Sequence, residues 1–341
     1  MNWQQWELAV QTATEGVLTW RKRRKIAKKE KQKRKNPVVD WLDAILSAVV
    51  IVLLINQYLL QAYQIPSESM VPSLLIGDRI FVNKLVYGPE LVPGMLKMPG
   101  LHQPRRADII IFESPEYISI GPLKDILQRV VYMVTLSLVD IDRDANGNPK
   151  HHFLVKRAIG MPGDRVRMNE GNVEILTPGA MDFRPEASLK EDLGLVYPNT
   201  RTFSADEYPK LENAGTALAL EEANLPVPAQ LKRDMARFLS VSRDTEGHLQ
   251  PPQWKLFFDE LFFITARYRA AWQMEPWNQS SRLRWRAGAE GTSVPEDRLF
   301  PMGDNRDNSH DARYFGPVKL EKVLGKALLR YWPFTRFGVV K

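Results

Sequence analysis

From Ala44 to Ser67 the chain runs for 24 residues without a charge, and Ala48–Ile55 are apolar without interruption. A bilayer core needs roughly 20 mostly apolar residues of helix. The stretch therefore predicts one transmembrane helix over residues 41–63. A helix buried in a protein core would explain the apolar run but not its flanks. Trp41 stands at one end, and Tyr58 and Tyr63 at the other, where interfacial aromatics belong. Asn56, Gln57 and Gln61 weaken the second half. Just N-terminal, residues 21–35 (RKRRKIAKKEKQKRK) carry eleven Lys/Arg against one Glu, a net of +10. The whole chain carries +7, so the remainder sums to −3. Positive residues stay on the cytoplasmic side of a span. Residues 1–40 are expected to be a cytoplasmic basic tail, and 64–341 an extracytoplasmic body on a cell membrane crossed once. Such a tract can bind nucleic acid, but beside a span it is better read as a topology anchor touching anionic lipid. Membrane lipid, and no nucleic acid, is the expected partner. A cleaved secretory signal fits poorly, because a long stretch precedes the apolar run. Residues 1–20 have the character of a short amphipathic helix, to which the sequence assigns no role.

The body reads as mainly β. Asp108–Phe112 (DIIIF) and Phe153–Ile159 (FLVKRAI) have the apolar, β-branched content of buried strands. Between them, Ile126–Val139 is largely apolar but too short to span. Residues 168–300 differ in character and are expected to form an inserted accessory subdomain, partly helical. Ala229–Leu239 and Pro252–Trp272 show helical spacing, the second through Trp254, Phe257, Phe258, Leu261, Ile264, Tyr268 and Trp272, read as a buried face. The absence of cysteine excludes disulfide frameworks, zinc ribbons, iron–sulfur clusters and thiol catalysis. Asp142, Asp144, Asn146 and Gly147 begin a calcium loop, but its twelfth position is Phe153 rather than a bidentate Glu. An acidic turn is the better reading. There is no HExxH and no GxSxG.

Four segments carry chemistry. They are Pro66-Ser67-Glu68-Ser69-Met70-x-Pro72-Ser73-Leu74; Arg106-x-Asp108; Lys156-Arg157-x-x-Gly160-x-Pro162-Gly163-Asp164; and Gly303-Asp304-Asn305-Arg306-Asp307-Asn308-Ser309-x-Asp311-x-Arg313. In order, and in distance from a membrane span, they resemble the bacterial type I signal peptidases, or leader peptidases. The resemblance covers about 64–116, 153–168 and 299–330, and none of its motifs lies in 168–300.

The residues support the chemistry that the resemblance implies. A serine hydroxyl attacks only when a base takes its proton. No histidine lies in a matching motif, but Lys156 does. A lysine at its ordinary pKa of about 10.4 is protonated and cannot be that base; desolvation can make it one. Phe153, Leu154 and Val155 could supply the apolar wall. Strand alternation turns Lys156 and Arg157 to opposite faces. The resemblance implies Ser69 as nucleophile and Lys156 as general base. It implies that Ser67 gives its hydroxyl to the oxyanion alongside the Ser69 N–H. Ser309 would bond and orient Lys156, Asp304 would pair with Arg157, and Asp311 with Arg313. Ile65, Met70 and Leu154 are candidates for lining the substrate pockets. An extended substrate could pair with strand 153–156 by β-augmentation.

The implied activity is cleavage of signal peptides from exported preproteins after small residues, at A-x-A-like sites, by a membrane-bound serine endopeptidase. No metal or organic cofactor is implied. Glu68 stands where many relatives have Gly, and Ala312 where Ser is common. A self-cleaving Ser/Lys repressor of related fold would need an N-terminal helix-turn-helix, whereas this chain has an apolar run. A non-enzymatic membrane-anchored relative would have lost Ser69 or Lys156, and both are present.

Overall fold

The computed structural model describes residues 37–92, 96–117, 152–240, 253–254 and 259–340, with scattered positions within 3–25 and 121–135. Two compact units divide the chain, residues 1–54 and 55–341. In the first, the described positions within 3–25 are helical and exposed. Most of the basic tract, and most of the apolar run at 126–139, lie outside the described residues, as do Phe257, Phe258 and the Asp142–Gly147 turn.

The uncharged run folds as helix α1, Pro37–Tyr58, with a mean hydropathy of 2.5 in its most apolar window. Among the described residues it is the only helix long and apolar enough to cross a membrane. It starts before the expected 41 and stops short of the expected 63. The cause is the polar content of the last turn. Gln57 Nε2 donates to the Glu90 carbonyl at 2.8 Å, and the Tyr58 hydroxyl donates to Leu91 at 3.2 Å. The chain then leaves the helix, and Leu60–Gln64 form a strand instead. Tyr63, expected at a membrane interface, is 3% exposed and packs in the core with Ile65, Met70 and Ile80.

The body is built on one antiparallel sheet, as its apolar runs predict. Its strands are β1 (Leu60–Gln64), β2 (Arg79–Asn83), β3 (Ile109–Glu113) and β4 (Phe153–Gly160). Two strands of a second sheet follow, β5 (Arg165–Asn169) and β6 (Asn172–Leu176). The chain returns to the main sheet with β7 (Arg298–Met302), β8 (Val318–Lys319) and β9 (Val323–Trp332). The spatial order is β1-β2-β9-β3-β4-β7-β8, with Gly338–Val339 folded back on β9. In β3, Ile110, Ile111 and Phe112 are fully buried. Each such burial contributes about 1.5–3 kcal/mol. The β3–β4 register sets Ile110 opposite Lys156 and Ile109 opposite Arg157. Opposed side chains in a sheet stand roughly 5 Å apart, so the lysine inherits a dry neighbour from the strand beside it.

The region from 168 to 300 contributes both strands and helices. β5 and β6 pair with short strands at Arg184–Pro185 and Thr292–Ser293 in a four-stranded sheet. The helices are α2 (Glu186–Asp192), α3 (Tyr208–Glu222), α4 (Ala229–Phe238), α5 (Glu260–Met274) and α6 (Gln279–Glu290). α5 begins later than the expected 252, because Gln253–Trp254 pair as a strand with Leu239–Ser240. Asp259 caps α5 by accepting from Phe262 N, and Asn278 caps α6 by accepting from Ser281 N. The buried face of α5 is Phe263, Ala266 and Ala270. The expected stripe of Leu261, Ile264, Tyr268 and Trp272 is only half-buried. Small residues won that face because α3 approaches closely: a Cβ on Gly215 would lie 2.9 Å from the Phe263 carbonyl and 3.0 Å from the Ala266 side chain. Trp272 instead stacks on Trp285, with ring centroids 4.8 Å apart.

One glycine of the main sheet is fixed by space. A Cβ on Gly325 would meet the Asn83 carbonyl oxygen at 2.5 Å and a Val82 methyl at 2.8 Å. Gly325→Ala must push β9 away from β2, and overpacking of this kind costs about 1–3 kcal/mol. Chemical denaturation should show a lowered midpoint with an unchanged slope.

Candidate active site

A short 3₁₀ turn, Glu68–Met70, carries Ser69 directly after β1 and the Ile65–Pro66 corner. Met70 anchors it, buried to 1% exposure among Tyr63, Ile65, Leu74 and Ile80. The Ser69 carbonyl accepts from Asn305 N at 3.0 Å, which ties the turn to the loop after β7. Lys156 Nζ hydrogen-bonds Ser69 Oγ at 2.5 Å, across 87 residues of chain. The lysine is 3% exposed. Burial pushes its pKa down to about 8; Asp311 pulls it up, Arg313 pushes it down and Asp304 pulls it up, each to a smaller extent. Ser67 Oγ lies 3.3 Å from Ser69 Oγ and stays exposed. The site thus holds a hydroxyl, an amine with a lowered pKa and a second hydroxyl facing solvent.

Next along the strand, Arg157 is wholly buried and so is its partner Asp304. The pair is bidentate: Nε donates to Oδ1 and one terminal nitrogen to Oδ2, each at 2.7 Å. The remaining donors reach the Ala107 carbonyl at 2.8 Å and Ser73 Oγ at 3.1 Å. Asp311 pairs with Arg313 at 2.8 Å and accepts from Gly303 N at 2.9 Å. Burial alone would raise the Asp311 carboxyl; the Arg313 guanidinium outweighs it and holds the group below the usual carboxylate range. Arg106 donates to Asp164 at 2.8 Å and to the Ile159 carbonyl, so the second and third motifs meet as well.

A family model described as signal peptidase, peptidase S26, matches residues 38–228 and 237–332. The chain belongs to the peptidase S26 family. The chain is similar to a signal peptidase I of Pseudomonas fluorescens, 26% identical over 92% of this chain and 82% of that one. It is also similar to a signal peptidase I of Aquifex aeolicus, 26% identical over 83% and 80%. A probable signal peptidase I-2 of Synechocystis is 22% identical over 91% and 82%. This S26 member is a serine-type peptidase, and the expected mainly β body with a partly helical region stands. The match runs through most of 168–300, which the four motifs had left out.

Within the S26 frame, the site residues read from the sequence gather closely, with two differences. Among the described residues the buried Ser309 hydroxyl has no hydrogen-bond partner, so the expected bond to Lys156 is not formed. Gly303 leaves room for it: a Cβ there would lie 2.2 Å from Ser309 Oγ and 2.5 Å from the Ser69 carbonyl oxygen. The second difference concerns the pocket candidates. Ile65 and Met70 share one core cluster, which Phe153 and Val155 join. Leu154 packs instead with Tyr87, Ile110, Phe112 and Ala158. Several site neighbours escaped the sequence reading. Ser73 bridges Arg157 and Asp304, donating to the carboxylate at 2.5 Å. It lies in the first motif, four residues past Ser69, where strand–turn spacing carries no signal for its direction. Glu186 was illegible because its partner Arg306 lies 120 residues away, and Tyr197 because its role follows from Glu186 and from a ring contact with Arg157 of β4.

Removing one member of a buried pair leaves an uncompensated charge, which costs about 3–5 kcal/mol. Asp304→Ala should therefore lower the denaturation midpoint far more than Asp192→Ala, whose carboxylate pairs with Arg184 at the surface.

Proposed function

We propose that this serine-type peptidase cleaves signal peptides by a Ser69/Lys156 dyad, after small residues, at the outer face of a membrane crossed by α1. The observation that carries the reading is the 2.5 Å contact between Ser69 Oγ and an amine that is 3% exposed. Neutral Lys156 takes the Ser69 proton as Oγ attacks the scissile carbonyl carbon. The C–N bond then breaks, and the lysine ammonium gives that proton to the leaving amine. Water, deprotonated by the same lysine, hydrolyses the acyl-serine and frees Ser69. Ser67 supports the oxyanion from its exposed position beside Oγ. Leu154–Lys156 have β3 on one edge and, among the described residues, no strand on the other. An extended substrate therefore has an edge to join, with Ile65, Met70 and Val155 at hand for a small side chain.

The substrates implied are exported preproteins. The +10 tract before α1 supports a cytoplasmic N-terminus and an extracytoplasmic body. Residues 1–36 then form a tail on the cytoplasmic side, and residues 168–300 an accessory part of the body. The deciding experiment incubates the detergent-purified full chain with an exported preprotein and reads the new N-terminus by mass spectrometry. An end just after an A-x-A-like site supports the reading; an intact preprotein overturns it.

The dyad and its neighbour make three predictions. Ser69→Ala, Lys156→Ala and Lys156→Arg should each abolish processing with the fold retained, since a guanidinium stays protonated. For the unaltered enzyme, kcat/KM should rise about tenfold per pH unit on the acid side and level off above about pH 8, where Lys156 is neutral. A flat profile through that range would remove the lysine from the role of base. Ser67→Ala should lower kcat about 10²–10³-fold and leave KM nearly unchanged, as expected for a bond made in the transition state. If Ser67 only shapes the turn, KM and melting temperature should change along with kcat.

A further inference from the structure

Residues 186–203 hydrogen-bond the region from 168 to 300 to the loop after β7. Glu186, the first residue of α2, forks onto Arg306: its two oxygens accept from the two terminal nitrogens at 2.6 Å each. Both side chains are nearly fully buried. Arg306 Nε then donates to the Gly303 carbonyl at 3.0 Å. Glu186 also accepts from the Tyr197 hydroxyl at 2.7 Å, and the Tyr197 ring lies 4.6 Å from the Arg157 guanidinium. Thr200 closes the circle. Its N–H donates to the Asp304 carbonyl at 2.8 Å, its carbonyl accepts from Arg306 N at 2.9 Å, and its hydroxyl donates to Val71 at 3.3 Å. Val71 is two residues past Ser69. Glu186 is thus tied to neighbours of both Ser69 and Lys156 while bonding to neither.

We propose that Glu186 is a positioning residue of this peptidase, which clamps the Gly303–Arg306 turn and Arg157 so that the turn keeps water from the Lys156 amine. The inference rests on the Ser69/Lys156 reading above. The charged groups around Lys156 are Asp304, Asp311 and Arg313 of the 303–313 loop and Arg157 on its own strand. None of the three loop residues is anchored by β4 alone. Asp311 holds Gly303 N, Arg313 donates to the Arg306 carbonyl at 2.5 Å, and Arg306 is held by Glu186. Burial alone would raise the Glu186 carboxyl, but the Arg306 guanidinium outweighs it and holds the group below its usual range. The clamp therefore stays charged wherever the lysine titrates.

Glu186→Gln keeps the shape and removes the charge, leaving Arg306 buried without a counter-ion. The loosened turn admits water to Lys156, and less desolvation means a higher lysine pKa. The expected result is an acid limb of kcat/KM moved up by about one pH unit, hence about tenfold less turnover near pH 7 and recovery at alkaline pH. KM for a peptide substrate should stay within about twofold, because the residue does not touch substrate. Tyr197→Phe removes one bond to Glu186 and leaves the ring on Arg157, so it should move the limb in the same direction by less. It also decides the matter if Glu186→Gln does not fold. A merely structural role predicts a lower melting temperature with the pH profile of the unaltered enzyme, and that outcome in both variants overturns the proposal. Lys156→Ala, assayed alongside, separates the two levels. If it retains activity, the dyad reading fails; if it is dead at every pH while the other two keep the unaltered profile, only the positioning role fails.

Discussion

The Arg157–Asp304 pair is the interaction from which the rest of the site hangs. Both side chains are removed from water, at a desolvation cost of several kcal/mol per ion. That cost is offset only because every direction is filled. Asp304 takes two donors from Arg157 and one from Ser73; Arg157 also reaches Ala107 and stands over Tyr197. Ser73, Arg157 and Asp304 come from three separate motifs. One buried pair thus fixes the Ser69 turn, the strand that carries Lys156 and the 303–313 loop against one another.

Adjacent residues of the same strand have opposite fates for a physical reason. Arg157 remains a cation and is given a carboxylate. Lys156 has Ser69 Oγ as its hydrogen-bond partner and, among the described residues, no carboxylate at bonding distance. A direct acidic partner would favour the ammonium and raise the pKa that burial lowers. The nearest acids are instead committed elsewhere, Asp304 to Arg157 and Asp311 to Arg313. The arrangement neutralises the permanent cations and leaves the titrating one to its dry surroundings.

Much of this was legible in sequence because it is local or periodic. DIIIF and FLVKRAI read as strands from their content, and β3 and β4 pair over that length. The four motifs named most of the site, since their spacing reflects turns that hold side chains at fixed offsets. Besides Ser73, Glu186 and Tyr197, three things were not legible. The end of α1 depends on bonds from Gln57 and Tyr58 to residues some thirty positions on. The buried face of α5 depends on how closely Gly215 lets α3 approach, which no single-helix pattern contains. Ser309 is packed beside Gly303 and Ser69, and whether its hydroxyl reaches Lys156 is a question of rotamer and space rather than of residue type.

The division within 168–300 has a consequence for how this architecture can change over generations. Residues 186–203 are welded to the loop by side-chain and main-chain bonds. Beyond them, α3, α4 and α5 pack around their own core of Leu211, Ala214, Leu218, Met235, Phe238 and Phe263. Such a bundle draws its stability from itself. It can lengthen, shrink or acquire new surface chemistry without disturbing the geometry of the serine and the lysine. Descendants of one ancestral peptidase are therefore free to differ most there, and an engineer wishing to fuse a cargo to the molecule has a natural entry at the exposed turn between α3 and α4, residues 223–226.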